Sequence, residues 1–284
     1  MQGGEWSLRE LNKHGDIILL CLYVDDLVIT KSSETEILKL KGKLNSEFEM
    51  IDFRELAYFL GLEFMKTKSG IMMHQRKYIV DVLNRFQMLE GKVGSSESTT
   101  EKLIDPTLYG QIVGCLGFIW HFKHEISYAT RVISRNMANP KQSQMIAAKR
   151  IMRYLKGTMN YGIQFPNQKE KGKSCFIGYS YSDWCGDKED RKSTSGYVFF
   201  MFGTPVSWSS KKQDVVALST CEAEYIAACN APCQGLWLTS LIAVLNCGKI
   251  GQFELKFDKK PTIKLAKNPV SHGRCKHIKQ GYIS

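Results

Sequence analysis

Residues 17–30 read IILLCLYVDDLVIT, an acidic pair set between two short runs of apolar and β-branched residues. That pattern is strand, tight turn, strand. It obliges the chain to build a sheet and to carry Asp25 and Asp26 at the sheet's rim. Adjacent carboxylates repel unless a cation lies between them. Divalent ions held by carboxylates, roughly 3.5–4 Å apart, can activate an attacking oxygen and stabilise a leaving one in phosphoryl transfer. Tyr23, Val24, Asp25 and Asp26 therefore form a candidate metal site for that chemistry. Asp is also a favoured turn residue, so a solvated turn is the competing reading.

The 284 residues suffice for one large or two ordinary domains. With 43% apolar residues the chain can bury real cores, and no run approaches the ~18 apolar residues needed to span a bilayer. The opening stretch MQGGEWSLRELNKHGD lacks an apolar core of signal-peptide length. Nine cysteines without a CxxC pair point to reduced thiols. The expectation is an intracellular protein, cytoplasmic or nuclear, with no membrane partner. Lys and Arg number 39 against 28 Asp and Glu, and the formal charge of +11 favours polyanionic partners. A merely basic surface is the alternative.

Downstream of the acidic pair, Ser33-Glu34-Thr35-Glu36 has capping-box spacing, and Ile37, Leu40, Leu44 and Phe48 recur at helical intervals, predicting a helix over 34–47. Residues 49–63 and 71–74 read as strands about the turn Lys68-Ser69-Gly70, and 76–86 as a helix. Residues 91–107 are polar and read as a loop. Helices are predicted over 107–122, 126–137 and 142–156, the last closed by Gly157. Lys149, Arg150, Arg153 and Lys156 fall so that several share one helix face, suited to phosphates or simply to solvent. The charged stretch NQKEKGKS at 167–174 marks a domain boundary. Beyond it come strands near 175–182, 195–201 and 205–209, a long helix from 220 that contains Pro232 and Gly235, a strand at 253–257 and a helix near 261–267. That order suits a mixed sheet backed by helices.

Tyr23-Val24-Asp25-Asp26 resembles the motif of reverse transcriptases, and FEMIDFRELAYFLGLEF with IMMHQRKYIVDVLNRFQM is similar to the segment downstream of that motif in copia-type retrotransposon Pol polyproteins. YGQIVGCLGFIWHF through AAKRIMRYLKGT resembles that family's connection segment. IGYSYSDWCGD, RKSTSGYVFF, VSWSSKKQDVVALSTCEAEYIAA and LKFDKKPTIKLAKNPVSHGRCKHI resemble its ribonuclease H domain in order and spacing. The resemblance implies an α/β (α+β) chain. A partial palm over 1–105 would be followed by a helical connection over 106–166 and a C-terminally truncated ribonuclease H-like domain over 175–284. It implies that Asp25 and Asp26 bind Mg2+ or Mn2+ and are catalytic. Tyr23, Leu60 and Gly61, with the 59–63 hairpin on the primer strand, would contact nucleic acid along with Lys149, Arg150, Arg153, Lys211 and Lys212.

The ribonuclease H reaction draws four carboxylates from separate elements, because two metals flank one phosphate. The resemblance carries over Glu224 on the long helix, with Glu222 as the neighbour it could be confused with, and Asp258 after the strand LKF; both would be catalytic and metal-binding. Where relatives read Tyr-Ser-Asp-Ala-Asp-Trp, this chain has Tyr179-Ser180-Tyr181-Ser182-Asp183-Trp184, so Tyr181 stands in a metal-binding position. Asp183 is the remaining catalytic candidate there, two residues or about 6.6 Å away along a strand. Lys279 replaces the fourth carboxylate. The aspartate that relatives supply from an upstream strand is expected to lie outside the chain. The implied protein is a Pol fragment of polymerase and ribonuclease H ancestry, defective on its own. Its partners would be RNA–DNA hybrid, DNA, RNA and other parts of a Pol polyprotein, and a virus-like particle is a further compartment. The alternatives are a non-catalytic nucleic-acid binder and a decayed transposon remnant.

Overall fold

The computed structural model describes residues 7–10, 18–31, 34–90, 104–167, 176–245 and 253–257. The chain is a mixed α/β protein that divides into two compact units, Met1–Ala57 with Leu238–Ile250, and Tyr58–Trp237 with Gly251–Ser284. In the first unit β1 (Ser7–Glu10), β2 (Ile18–Tyr23) and β3 (Asp26–Lys31) form an antiparallel sheet in that order. Helix α1 (Glu34–Glu47) comes next, as its apolar spacing predicts, although no residue of it is fully buried; the expected cap residue Ser33 lies outside the described residues. The strand expected over 49–57 is absent. Asp52 instead accepts from the Arg54 N–H (2.8 Å) and from Lys41 Nζ (2.8 Å), a side-chain turn that competes with a ladder and leaves Arg54 at φ 64°. The Lys41 ammonium, then the Arg54 N–H, hold the Asp52 carboxyl below its ordinary pKa.

The second unit begins with a four-stranded antiparallel sheet, β4 (Tyr58–Phe59), β5 (Leu62–Thr67), β6 (Gly70–His74) and β7 (Ile163–Pro166). Gly70 is required at its position. It has φ +149°, and a Cβ there would collide with the Phe165 carbonyl of β7. Helices α2 (Arg76–Arg85), α3 (Pro106–Ile119), α4 (Ser127–Ile133) and α5 (Gln142–Thr158) pack around one core, in which Ile79, Leu83, Tyr109, Leu116, Ile119, Met152 and Leu155 are almost wholly buried. Asp105 caps α3 by accepting from the Thr107 N–H (2.8 Å), with Pro106 in the first turn where its missing N–H does no harm. Helix α5 does not stop at Gly157. It runs to Thr158, within the one or two residues by which helix ends fray, and the buried Lys123 donates to the Thr158 carbonyl (3.0 Å) and to that of Tyr161 beyond the helix (3.2 Å).

The second sheet of this unit has the order β10 (Thr204–Lys212), β9 (Thr194–Met201), β8 (Phe176–Ser182), β11 (Glu254–Phe257). The pair β8–β11 is parallel and the others are antiparallel. Phe176, Phe199 and Phe253 interlock on one of its faces, with ring centroids 5.4–6.0 Å apart. Helix α6 (Thr220–Val244) continues through Pro232 and Gly235. A Cβ on Gly235 would meet the Phe253 ring at 2.5 Å, so the glycine that weakens the helix locally is what admits the aromatic side chain. The predicted helix near 261–267 lies outside the described residues. The described cysteines, Cys21, Cys115, Cys185, Cys221, Cys229 and Cys233, are free. Among the described residues no helix is long and apolar enough to cross a membrane.

Candidate nucleic-acid and metal sites

The acidic pair sits where the alternation of apolar residues requires. Strands β2 and β3 pair with Tyr23 opposite Asp26, leaving Val24-Asp25 as a two-residue turn. Val24 takes φ 50°, a left-handed conformation that a β-branched side chain adopts only under strain, of order 1–3 kcal/mol. Asp25 and Asp26 are both exposed at the tip. Two carboxylates suit a Mg2+ or Mn2+ ion that fills the rest of its shell with water and substrate phosphate, so the pair fits part of a metal site. Among the described residues no third ligand-bearing group joins them.

The turn Leu60-Gly61 between β4 and β5 has both φ values positive, 49° and 80°, the geometry that suits a two-residue hairpin. A Cβ on Gly61 would meet the Phe118 ring at 3.1 Å, so the hairpin tip lies on α3. Of the basic residues of α5, Arg150 and Arg153 fall on the face away from the buried Met145, Ala148, Ile151, Met152 and Leu155, and Lys149 and Lys156 flank that buried face. Arg150 is exposed, and Lys149 and Arg153 are half-buried with further contacts of their own. Lys211 is 70% exposed and lies 3.9 Å from Asp214.

Lys212, expected to meet phosphate, is tied down instead. Its ammonium bonds Asp187 (2.6 Å) and Asp190 (2.7 Å), and Asp187 also receives Arg135 (2.9 Å), which reaches Thr194 Oγ1 as well (3.3 Å). Lys212, then the Glu189 N–H, pull the Asp187 carboxyl down to about 2. Sequence reasoning missed this node, since nothing in the charge pattern pairs residues 52 positions apart. Because the folded-state pKa of Asp187 is depressed, its contribution to stability is present above about pH 4 and is lost as pH falls towards 2. Asp187→Asn is accordingly expected to lower the thermal midpoint clearly at pH 7 and progressively less as pH falls through about 2. An equal loss across that range would show that the ion pairs contribute nothing.

The second acidic set is spread over two faces of a sheet. Along β8, Phe176, Gly178, Ser180 and Ser182 are buried while Tyr179 and Tyr181 are exposed, a clean period of two. Helix α6 starts against the buried face, for Gln213 donates through Nε2 to Ser182 Oγ (3.1 Å), Ser195 Oγ (2.8 Å) and the Ala223 carbonyl (2.9 Å). Glu224 on that helix is 1% exposed. Glu222 is engaged in starting the helix, accepting from the Leu218 N–H (2.7 Å) while its own N–H bonds Ser219 Oγ (3.1 Å). Tyr181 is on the other face, 57% exposed. Asp183 Oδ1 accepts from the Thr194 N–H (2.6 Å), which fixes the end of β8 to β9. The described residues therefore do not assemble a two-metal site here. Asp258 and Lys279 lie outside the described residues.

A family model for reverse transcriptase (RNA-dependent DNA polymerase) matches residues 10–96. The Retrovirus-related Pol polyprotein from transposon RE1 of Arabidopsis thaliana is 36% identical over 97% of this chain, and that from transposon TNT 1-94 of Nicotiana tabacum 34% identical over 94%. An uncharacterized mitochondrial protein of Arabidopsis thaliana is 34% identical over 77% of this chain and 93% of its own length. The chain belongs to the retrotransposon Pol polyprotein family. It spans 19% of the RE1 polyprotein and 21% of the TNT 1-94 polyprotein. No solved structure matches it. Within this Pol segment the reverse transcriptase match takes in the Asp25-Asp26 hairpin, α1, the Leu60-Gly61 hairpin and α2.

Proposed function

We propose that this chain is the stretch of a retrotransposon Pol polyprotein that joins the acidic tip of the palm to a ribonuclease H-derived sheet, and that it holds RNA–DNA hybrid without cutting it. The palm portion would occupy 1–105, the helical connection 106–166 and the sheet 175–284. Tyr181 carries the reading. Where hydrolysis takes a carboxylate, a tyrosine points to solvent on the face opposite the start of α6, and Glu224 is buried. Asp25 and Asp26 would hold Mg2+ or Mn2+, which when bound supplies charge neutralisation for phosphoryl transfer. Without a third carboxylate among the described residues the pair is expected to need other parts of the polyprotein. DNA and RNA are further partners, and the compartment is that of the polyprotein: cytoplasm, nucleus or virus-like particle.

The test is gel retardation and cleavage of one end-labelled RNA–DNA hybrid in Mg2+ or Mn2+, with primer extension on poly(rA) alongside. Retardation with no cleavage and no extension is expected. Tyr181→Asp is expected to leave the hybrid uncut, because its carboxylate would point away from α6. Cleavage by the unaltered chain, or no retardation at low salt, would refute the proposal.

A further inference from the structure

The face of the second sheet that carries Tyr181 is not a bare surface. It forms one wall of a cleft of about 340 Å3, closed on the other side by the residues before and within α4. Register explains the depression. Tyr179 and Tyr181 on β8 lie opposite Val198 and Gly196 on β9, which in turn lie opposite Trp208 and Ser210 on β10. The row from Tyr181 thus has no side chain at its centre, and the row from Tyr179 ends in an indole. Tyr128 and His124 face it, with the His124 and Trp208 rings 5.6 Å apart. Tyr179, Tyr181 and Tyr128 remain 43%, 57% and 53% exposed. Ser127 lines the same cleft, and its buried hydroxyl has no hydrogen-bond partner among the described residues. Lys256 on β11 holds its ammonium 5.8 Å from the centre of the Tyr179 ring, at the rim, and 3.7 Å from the exposed Glu254 carboxylate.

From this arrangement we infer that the cleft stacks unpaired nucleobases, making a single-strand site separate from any surface that holds duplex. Exposed rings two residues apart on a strand, about 6.6 Å, leave room for a base to lie against each. Base-on-aromatic stacking tolerates any sequence because every base has a π-face. A duplex hides those faces, and the cleft is too small for one, whereas it accommodates one or two bases. The rim cation meets the backbone. The inference rests on the reading of the chain as a nucleic-acid holder.

Fluorescence anisotropy decides the matter with three labelled probes of equal length: oligo(dT), an abasic oligonucleotide, and a blunt RNA–DNA hybrid. The unaltered chain is expected to bind oligo(dT) more tightly than the abasic strand. Tyr181→Ala and Tyr179→Ala should each weaken oligo(dT) by about 5- to 100-fold while changing hybrid binding less than twofold, and Tyr181→Phe should behave as the unaltered chain. Both tyrosines are exposed, and circular dichroism checks that the variants remain folded. Hybrid binding retained, with oligo(dT) indifferent to loss of either ring or bound no better than the abasic strand, would overturn the stacking cleft and leave the hybrid-holding proposal standing. Binding of none of the probes would overturn both.

Discussion

Tyr109→Ala is expected to destabilise the second unit by about 3–5 kcal/mol, the range for removing a large aromatic side chain from a closed core. Tyr109 is wholly buried on α3 among the apolar faces of α2, α4 and α5, and its hydroxyl donates to the Ile133 carbonyl at 2.6 Å. The alanine therefore leaves both a cavity and a carbonyl short of its donor at the end of α4. Tyr109→Phe separates the two effects. It keeps the ring and is expected to cost only about 1 kcal/mol. Urea unfolding of the three proteins measures both steps. If phenylalanine proved as damaging as alanine, the hydrogen bond rather than the packing would hold the helices.

Affinity for RNA–DNA hybrid is expected to fall about 500-fold between 50 and 200 mM salt. One phosphate contact each for Lys149, Arg150, Arg153, Lys156 and Lys211 gives a slope of about −4.5 in log affinity against log salt. Lys212 is left out because Asp187 and Asp190 hold it. Arg150→Ala and Lys211→Ala should each flatten the slope by about 0.9, whereas Lys212→Ala should not change it. A titration whose slope ignored Arg150 and Lys211, or responded to Lys212, would place the bound backbone elsewhere.

The hairpin of Asp25 and Asp26 was legible because its determinants are local: alternating apolar runs, two acidic turn residues and a register set by turn length. Helix α1 and the helices of the connection were legible for the same reason, through apolar spacing. The misses depend on distant partners. Nothing near residue 157 announces that Lys123 donates to the Thr158 carbonyl, and nothing in 49–57 names Lys41 as the partner that Asp52 takes together with the local Arg54 N–H. Gly235 reads as a defect in α6 until Phe253 is placed against it. The period of β8 put Tyr181 and Asp183 on one face, but which face α6 would cover depends on packing that a single strand does not encode. Charge composition likewise marked Lys212 as a cation without naming the carboxylates that neutralise it.

Trp208 of β10 donates through Nε1 to the Trp120 carbonyl at the end of α3 (3.0 Å), and Thr204 Oγ1 of the same strand donates to the Gln164 carbonyl of β7 (2.7 Å). With Arg135 bonded to Asp187, the second sheet of this unit is joined to the rest of it at three separated points, two on the helical segments and one on β7. A rotation of one against the other would have to break all three together, so this part of the chain has no soft axis to turn about. Its slow motions are then openings of segments, seen in amide exchange, rather than swings of whole bodies.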